Sequence, residues 1–213
     1  MAERLTDNDT TIRPRTPTAR GDREQRHKDV LDAAGAVLDE LGWDQFSIRD
    51  VATRAGVSAG AVYQWFSGKG EIWARLQTSR FERDARAIAD WPDDLEPAEV
   101  VRRAVEVIAV NHAEIGRYRF DFVIGLKGAV PDYANDLTRA HMAVGERLAA
   151  RVMPLLPDSL DETARRARQS WLWAVGKGIG DHLVDDRFAV QGIDREAFLA
   201  TSTTMVLSGL TAD

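Results

Sequence analysis

The sequence predicts an all-α fold in two parts: an N-terminal three-helix domain containing a helix-turn-helix, and a larger helical C-terminal domain. Three observations carry this. The stretch Phe46 to Lys69, FSIRDVATRAGVSAGAVYQWFSGK, has the caps and apolar spacing of two short helices joined by a tight turn. Apolar residues recur at helical spacing through nearly all of the remaining chain. The interruptions fall at WPDDLEP, residues 91–97, and at Pro131, Pro154 and Pro157, because a helix interior tolerates proline poorly.

Residues 1–21 are rich in Thr, Asp, Arg and Pro and nearly devoid of apolar side chains, which predicts a disordered arm. Its RPRTPTAR segment is either an arm that reaches DNA or a solvated tail. The first helix is expected over 22–41, with Val30, Ala33, Ala34, Val37, Leu38 and Leu41 on one face and Gly42 ending it. Trp43 and Phe46 fill the link. Ser47 caps a helix over 47–55, with Asp50 at capping-box spacing and Ile48, Val51, Ala52 and Ala55 at helical spacing. Gly56 stops that helix, since glycine accepts the left-handed conformation of a helix end. Ser58 caps the next, 58–66, whose Val62 and Phe66 form a buried i, i+4 pair, while small Ala52 lets the two helices cross closely. A fourth helix, 69–89, follows Ser67-Gly68-Lys69. Further helices are expected near 97–114, 119–127, 132–153, 160–185 and 194–211. Tyr118, Phe120, Phe122 and Ile124 alternate as a strand would, but a lone strand has no partner here, so the segment is read as helix.

The helix near 160–185 is apolar or small on two faces. One stripe is Trp171, Val175, Gly178 and His182; the other is Trp173, Gly176, Gly180 and Val184. Both faces must be covered, one by the helix's own domain and one by a second surface. Its GKGIG run, residues 176–180, lacks both the GxGxxG and the GxxxxGK[ST] phosphate-loop spacings, since Asp181 stands where a glycine would be needed. Three glycines cost a helix about 3 kcal/mol relative to alanine. A close helix contact would offset that; a local break is the alternative.

The run VLDAAGAVLDELGWDQFSIRDVATRAGVSAGAVYQWFSGKGEIW resembles the DNA-binding domain of TetR-family transcriptional regulators, over about the N-terminal third of the chain. Val57-Ser58, Gly60, Val62-Tyr63, Phe66 and Lys69 fall where that family's pattern places them. Ala59 departs from it, standing where many members carry Lys, so one possible DNA contact is missing. The resemblance implies an all-helical C-terminal domain that binds a small-molecule effector. It also implies a homodimer built by the last two helices, and a double-stranded DNA operator as partner. The domains expected are an arm (1–21), a DNA-binding domain (22–68) and a ligand-binding and dimerisation domain (69–213), joined by the 69–89 helix.

Candidate DNA contacts are Arg49, Ser58, Ala59, Gly60, Ala61, Tyr63, Gln64 and Lys69. Val62 and Phe66 must face inward, so Tyr63 and Gln64 face out. A Gln amide can pair with adenine in the major groove. The Tyr63 hydroxyl, the Lys69 ammonium and the amides at the helix start suit phosphate, and the resemblance gives Tyr63 and Lys69 that backbone-gripping role. Ala59, Gly60 and Ala61 have no polar reach, so their readout would rest on close approach, thymine-methyl contact and DNA shape. An apolar effector pocket is expected around Phe120, Phe122 and Trp171, with His112, Asn111 or Arg117 as polar handle. For His112, which continues the apolar stripe Val101, Val105 and Ile108, a satisfied core histidine is the alternative. The dimer seam is assigned to Trp173, Gly176, Gly180, Val184, Phe198 and Met205, with Val206 and Gly209 beside them in the last helix.

Composition bounds the function. Net charge is −6, yet residues 1–80 carry 12 Lys+Arg against 12 Asp+Glu, while residues 81–213 carry 16 against 22. The excess acid therefore lies outside the DNA-binding segment, and it is the distribution that sets the field on a phosphate backbone. Cysteine is absent, which excludes disulfides and thiolate chemistry. No histidine pair has metal-ligand spacing and no GxSxG elbow occurs, so neither a metal, a cofactor nor an enzymatic activity is expected. No run of 18 apolar residues exists and the N-terminus has no apolar signal core, which predicts a cytoplasmic, membrane-free protein. The expected function is a ligand-responsive repressor released from a palindromic operator by a small apolar or aromatic effector. The alternatives are an activator or architectural DNA-binding protein without effector, and an enzyme with an appended helix-turn-helix.

Overall fold

A computed structural model describes residues 19–125, 131–184 and 189–212. Among these the chain forms eight α-helices and two short 3-10 turns, with no strand. The helices are α1 (Ala19–Gln45), α2 (Ile48–Ala55), α3 (Ala59–Trp65), α4 (Lys69–Ala89), α5 (Pro97–Gly125), α6 (Asp132–Val152), α7 (Glu162–Val184) and α8 (Arg195–Thr211). The chain divides into two compact units, residues 1–69 and 70–213, with the division in the first turn of α4.

In the first unit, α1 is helical up to Gly42, whose φ of 70° and ψ of 171° turn the chain. That conformation is open only to glycine. Helix α1 begins at Ala19, three residues into the segment expected to be disordered; the rest of that arm lies outside the described residues. Both predicted caps form: Ser47 Oγ accepts from the Asp50 amide and Ser58 Oγ from the Ala61 amide. Gly56 ends α2 in the left-handed conformation at φ 67°, its amide returning to the Ala52 and Thr53 carbonyls. The core is Val30, Ala34, Val37, Phe46, Ile48, Val51, Ala52, Val62 and Phe66, all buried. Arg54 of α2 grips Glu40 of α1 through its two terminal guanidinium nitrogens, lowering the carboxyl's pKa mainly by hydrogen bonding.

In the second unit, the helices expected at 97–114 and 119–127 are one continuous helix, α5. The one glycine between them is Gly116, and a single glycine costs about 1 kcal/mol, too little by itself to end a long helix. The strand-like alternation at Tyr118–Ile124 is helical backbone, as read. Helix α7 runs unbroken through GKGIG. Its partner is α5: a Cβ on Gly176 would lie 2.5 Å from Ile108 Cγ2, and one on Gly180 2.7 Å from the Ala109 carbonyl oxygen. The two helices thus run parallel and nearly backbone to backbone. Buried Leu172, Ile179 and Leu183 continue that inward stripe of α7, facing a core to which Val101, Ala104, Val105 and Ile108 of α5 also belong.

Loops are tied down by arginine. Arg151 of α6 donates to the Ala89 and Trp91 carbonyls at 3.0 and 2.6 Å and to Asp93 at 2.6 Å, capping the C-terminal end of α4. Arg168 of α7 donates to the Leu210 carbonyl at 2.6 Å and also to Ala212, capping α8. Arg165 reaches the Pro157 carbonyl at 3.0 Å across the α6–α7 connection.

Candidate nucleic-acid interface and interior cavity

Helix α3 presents its predicted outer face to solvent. Val62 and Phe66 are buried, which forces the residues between them outward: Tyr63 is 58% exposed, and Gln64 and Gly60 are exposed as well. Ala59 and Ala61 are half-buried. A Cβ on Gly60 would meet only the Ser58 hydroxyl at 3.8 Å, so this end of the helix is smooth and open to close approach by a groove wall. Ser58 is exposed; its oxygen is occupied by the cap at 3.1 Å, leaving the hydroxyl proton to donate outward. Arg49 is exposed on the first turn of α2. Lys69, also exposed, opens α4, its ammonium 4.5 Å from the centroid of the Trp43 ring. All eight candidate DNA contacts therefore belong to one helix-turn-helix and the residue that follows it. Chemically this face supplies an amide, a phenol, a hydroxyl and two cations around a smooth helix start, the donor set that phosphates and base edges accept.

The candidate effector residues fare differently. The side chains of Phe120 and Phe122 lie outside the described residues. Trp171 does not face inward: it is 40% exposed and lies over Gly209 of α8, where a Cβ would stand 2.7 Å from its ring. His112 is engaged, its Nε2 2.9 Å from Oδ1 of Asp181 across the α5–α7 crossing. Its neighbour Asn111 is buried, and its Oδ1 has no partner. A buried acceptor left so costs about 1–3 kcal/mol.

Among the described residues a cavity forms between Ile108 of α5, Leu148, Ala149 and Val152 at the end of α6, Met153 and Leu156 beyond it, Gln169, Leu172 and Trp173 of α7, and Leu210 of α8. Its free space is about 10 Å³, which holds no more than about one water molecule. Trp173, assigned from sequence to the dimer seam, is thus a cavity wall, and Trp171, assigned to the pocket, is on the outer surface. The signal was available. Trp173 travels with Leu172, Gly176, Ile179 and Leu183, an apolar inward stripe, whereas Lys177 and Asp181 flank the Trp171 stripe and mark it as outward.

Trp173 also connects the cavity to α4. A Cβ on Gly145 would lie 3.2 Å from its ring, so α6 passes close beneath it. His141 of α6 lies 6.1 Å from the Trp173 ring and meets Phe81 of α4 edge-on at 5.0 Å, between ring centroids.

The remaining seam residues divide. Gly176 and Gly180 are buried against α5 of the same chain, so their small size serves that crossing and not a seam between copies. Met205 is 69% exposed. Phe198 stacks on His182 at 5.8 Å on the outer side of the α7–α8 pair. The side chain of Val184 lies outside the described residues. Among the described residues no three His, Asp or Glu side chains gather as metal ligands, and no helix is long and apolar enough to cross a membrane.

Residues 30–76 match the family model described as bacterial regulatory proteins, tetR family. The chain is 32% identical over 96 residues to the HTH-type transcriptional regulator PksA of Bacillus subtilis (strain 168), a match covering 44% of this chain. It spans about half of that relative, 47% of its length. In fold the chain is similar to Salmonella enterica GusR, with a TM-score of 0.60, 17% identity, and coverage of 91% of this chain and 97% of that one. It is also similar to the transcriptional regulator FadR of Bacillus subtilis in complex with stearoyl-CoA, with a TM-score of 0.53, 18% identity, and coverage of 87% and 98%.

Proposed function

The chain belongs to the TetR family of bacterial regulatory proteins, and from that premise we propose that it is a homodimeric repressor that an apolar or aromatic effector releases from a palindromic operator. The observation that carries the DNA-binding part is the outward face of α3, with Tyr63 and Gln64 exposed between buried Val62 and Phe66. Gln64 reads base edges; Tyr63, Ser58, Arg49 and Lys69 grip phosphates; Ala59, Gly60 and Ala61 allow close approach. The DNA-binding domain is residues 22–68 and the effector and dimerisation domain 69–213.

The effector part is supported by the apolar cavity beside Trp173. The FadR of Bacillus subtilis, similar in fold, is in complex with stearoyl-CoA, which supports an apolar effector for this chain. The cavity is nearly closed as it stands, so an effector selects a state in which the wall has opened. Such a ligand shifts the equilibrium only by its preference for that state. The Trp173–His141–Phe81 contacts give wall movement a packed route to α4.

Duplex binding followed by fluorescence anisotropy over a salt series tests the DNA reading. Lys69→Ala is expected to weaken binding to every sequence and to reduce the log K versus log salt slope by about one. Gln64→Ala is expected instead to alter base preference at constant slope. Unchanged affinity and slope for Lys69→Ala would remove Lys69 from the phosphate contacts.

A further inference from the structure

Trp43 fills the link between α1 and α2, and its ring does more than fill space. Gly42 adopts φ 70° and ψ 171°, a conformation closed to other residues, and the chain leaves α1 there. The following ring, Trp43, stacks on Phe46 with centroids 5.9 Å apart and planes 10° from parallel. Phe46 is 3% exposed, so one face of the indole is fixed to the core of the unit. Trp43 itself is half-buried, and the Lys69 ammonium lies 4.5 Å from its centroid. Within about 6 Å of an indole face an ammonium is attracted by the ring's electron density.

We propose that Trp43 is a positioning residue for DNA binding: its indole holds the Lys69 ammonium at the start of α4, preset to meet a backbone phosphate. The proposal rests on the reading of Lys69 as a phosphate contact. A lysine has a flexible stem whose freedom is lost on binding. Resting on a ring that is itself fixed reduces that loss. The ammonium has three N–H donors, and Lys69 is exposed, so contact with the ring leaves donors free for a phosphate oxygen.

The test is a double-mutant cycle on the full chain with a mixed-sequence duplex as probe, measured over a salt series, since nonspecific binding reports phosphate contacts. Lys69→Ala lowers affinity and the salt slope. Trp43→Leu is expected to lower affinity by about two- to five-fold, and Trp43→Phe, which keeps a ring, to lose less. In the Lys69→Ala background Trp43→Leu is expected to cost nothing further, because there is no ammonium left to hold. An equal loss in both backgrounds would make Trp43 a packing residue only and overturn the proposal, as would wild-type affinity for Trp43→Leu. A loss for Trp43→Leu without any effect of Lys69→Ala would overturn the role of Lys69 and the proposal with it. Absence of duplex binding by the wild type would instead overturn the DNA-binding reading. Should Trp43→Leu not fold, the wild type still decides: ring current from Trp43 is expected to shift the Lys69 ε-methylene protons upfield in the NMR spectrum, and unshifted protons would refute the contact.

Discussion

At the scale of the residue, Glu99 in the first turn of α5 shows how local charge makes stability depend on pH. It accepts from Arg102 Nε and Nη2 at 2.7 Å each and from Arg103 Nε at 2.6 Å. The hydrogen bonds from Arg102 and then Arg103 hold its pKa down at about 2, from an ordinary 4.5. The unfolded chain therefore takes up this proton at a higher pH than the native one. The stability contributed by Glu99 is fully present above about pH 4.5 and is lost as pH falls toward 2. Urea unfolding midpoints measured across that window should fall less steeply for Glu99→Gln than for the wild type, and the difference should shrink in high salt because the cluster is solvent-accessible. Equal acid dependence of the two proteins would contradict this. The residue scale is also where sequence reading fell short. The caps at Ser47 and Ser58, the stop at Gly56 and the inward pair Val62 and Phe66 were legible because each depends on neighbours within one helical turn. The outward and inward stripes of α7 were hard to tell apart because both are apolar or small, and only the flanking Lys177 and Asp181 distinguish them; Trp171 is 40% exposed and Trp173 lines the cavity. The partners that settle the matter, Gly209 and Gly145, lie on other helices and leave no local mark.

At the scale of the element, α7 carries three glycines with three different surroundings. A Cβ on Gly178 meets nothing within 4 Å, on Gly176 it meets the Ile108 side chain at 2.5 Å, and on Gly180 the Ala109 carbonyl oxygen at 2.7 Å. Glycine costs a helix interior about 1 kcal/mol relative to alanine. Gly178→Ala is therefore expected to stabilise the protein by up to about that amount. Gly180→Ala drives a methyl into backbone and should destabilise by about 1–3 kcal/mol, since the crossing of α5 and α7 must open. Gly176→Ala falls between, because a β-branched side chain yields more readily than a backbone but still not freely. Urea denaturation of the three variants checks the order; a Gly180→Ala protein as stable as Gly178→Ala would contradict the parallel, close crossing. The sequence pointed to a close helix contact at this glycine run, with a local break in the helix as the alternative. It did not show that the contact was α5, because small-residue spacing marks close approach without naming the partner. Helix α5 itself was divided in two, beside a strand-like alternation at Tyr118–Ile124, where the backbone is one continuous helix.

At the scale of the whole molecule, the outer faces of α7 and α8 leave Trp171 at 40% and Met205 at 69% exposure, with Phe198 and His182 stacked nearby. If a second copy covers this surface, Trp171→Asp with Met205→Asp is expected to convert a dimer to a monomer by light scattering at low micromolar concentration. A dimer unaffected by both charges would place the seam elsewhere. The chain's acidic excess resides in residues 81–213, so the helix-turn-helix segment meets DNA without that net repulsion in its own charge balance. A dimer presenting two copies of α3 would recognise two half-sites, in the simplest arrangement about 34–36 Å apart, one turn of the duplex. The most direct test of the account is selection of duplexes from a random-sequence pool by the full-length protein, followed by sequencing. The expected result is enrichment of a two-fold symmetric site bound by two chains, with the preferred bases altered by Gln64→Ala at symmetry-related positions. Enrichment of no sequence, or of a site whose preference is indifferent to Gln64, would contradict the assignment of α3 as the element that reads DNA.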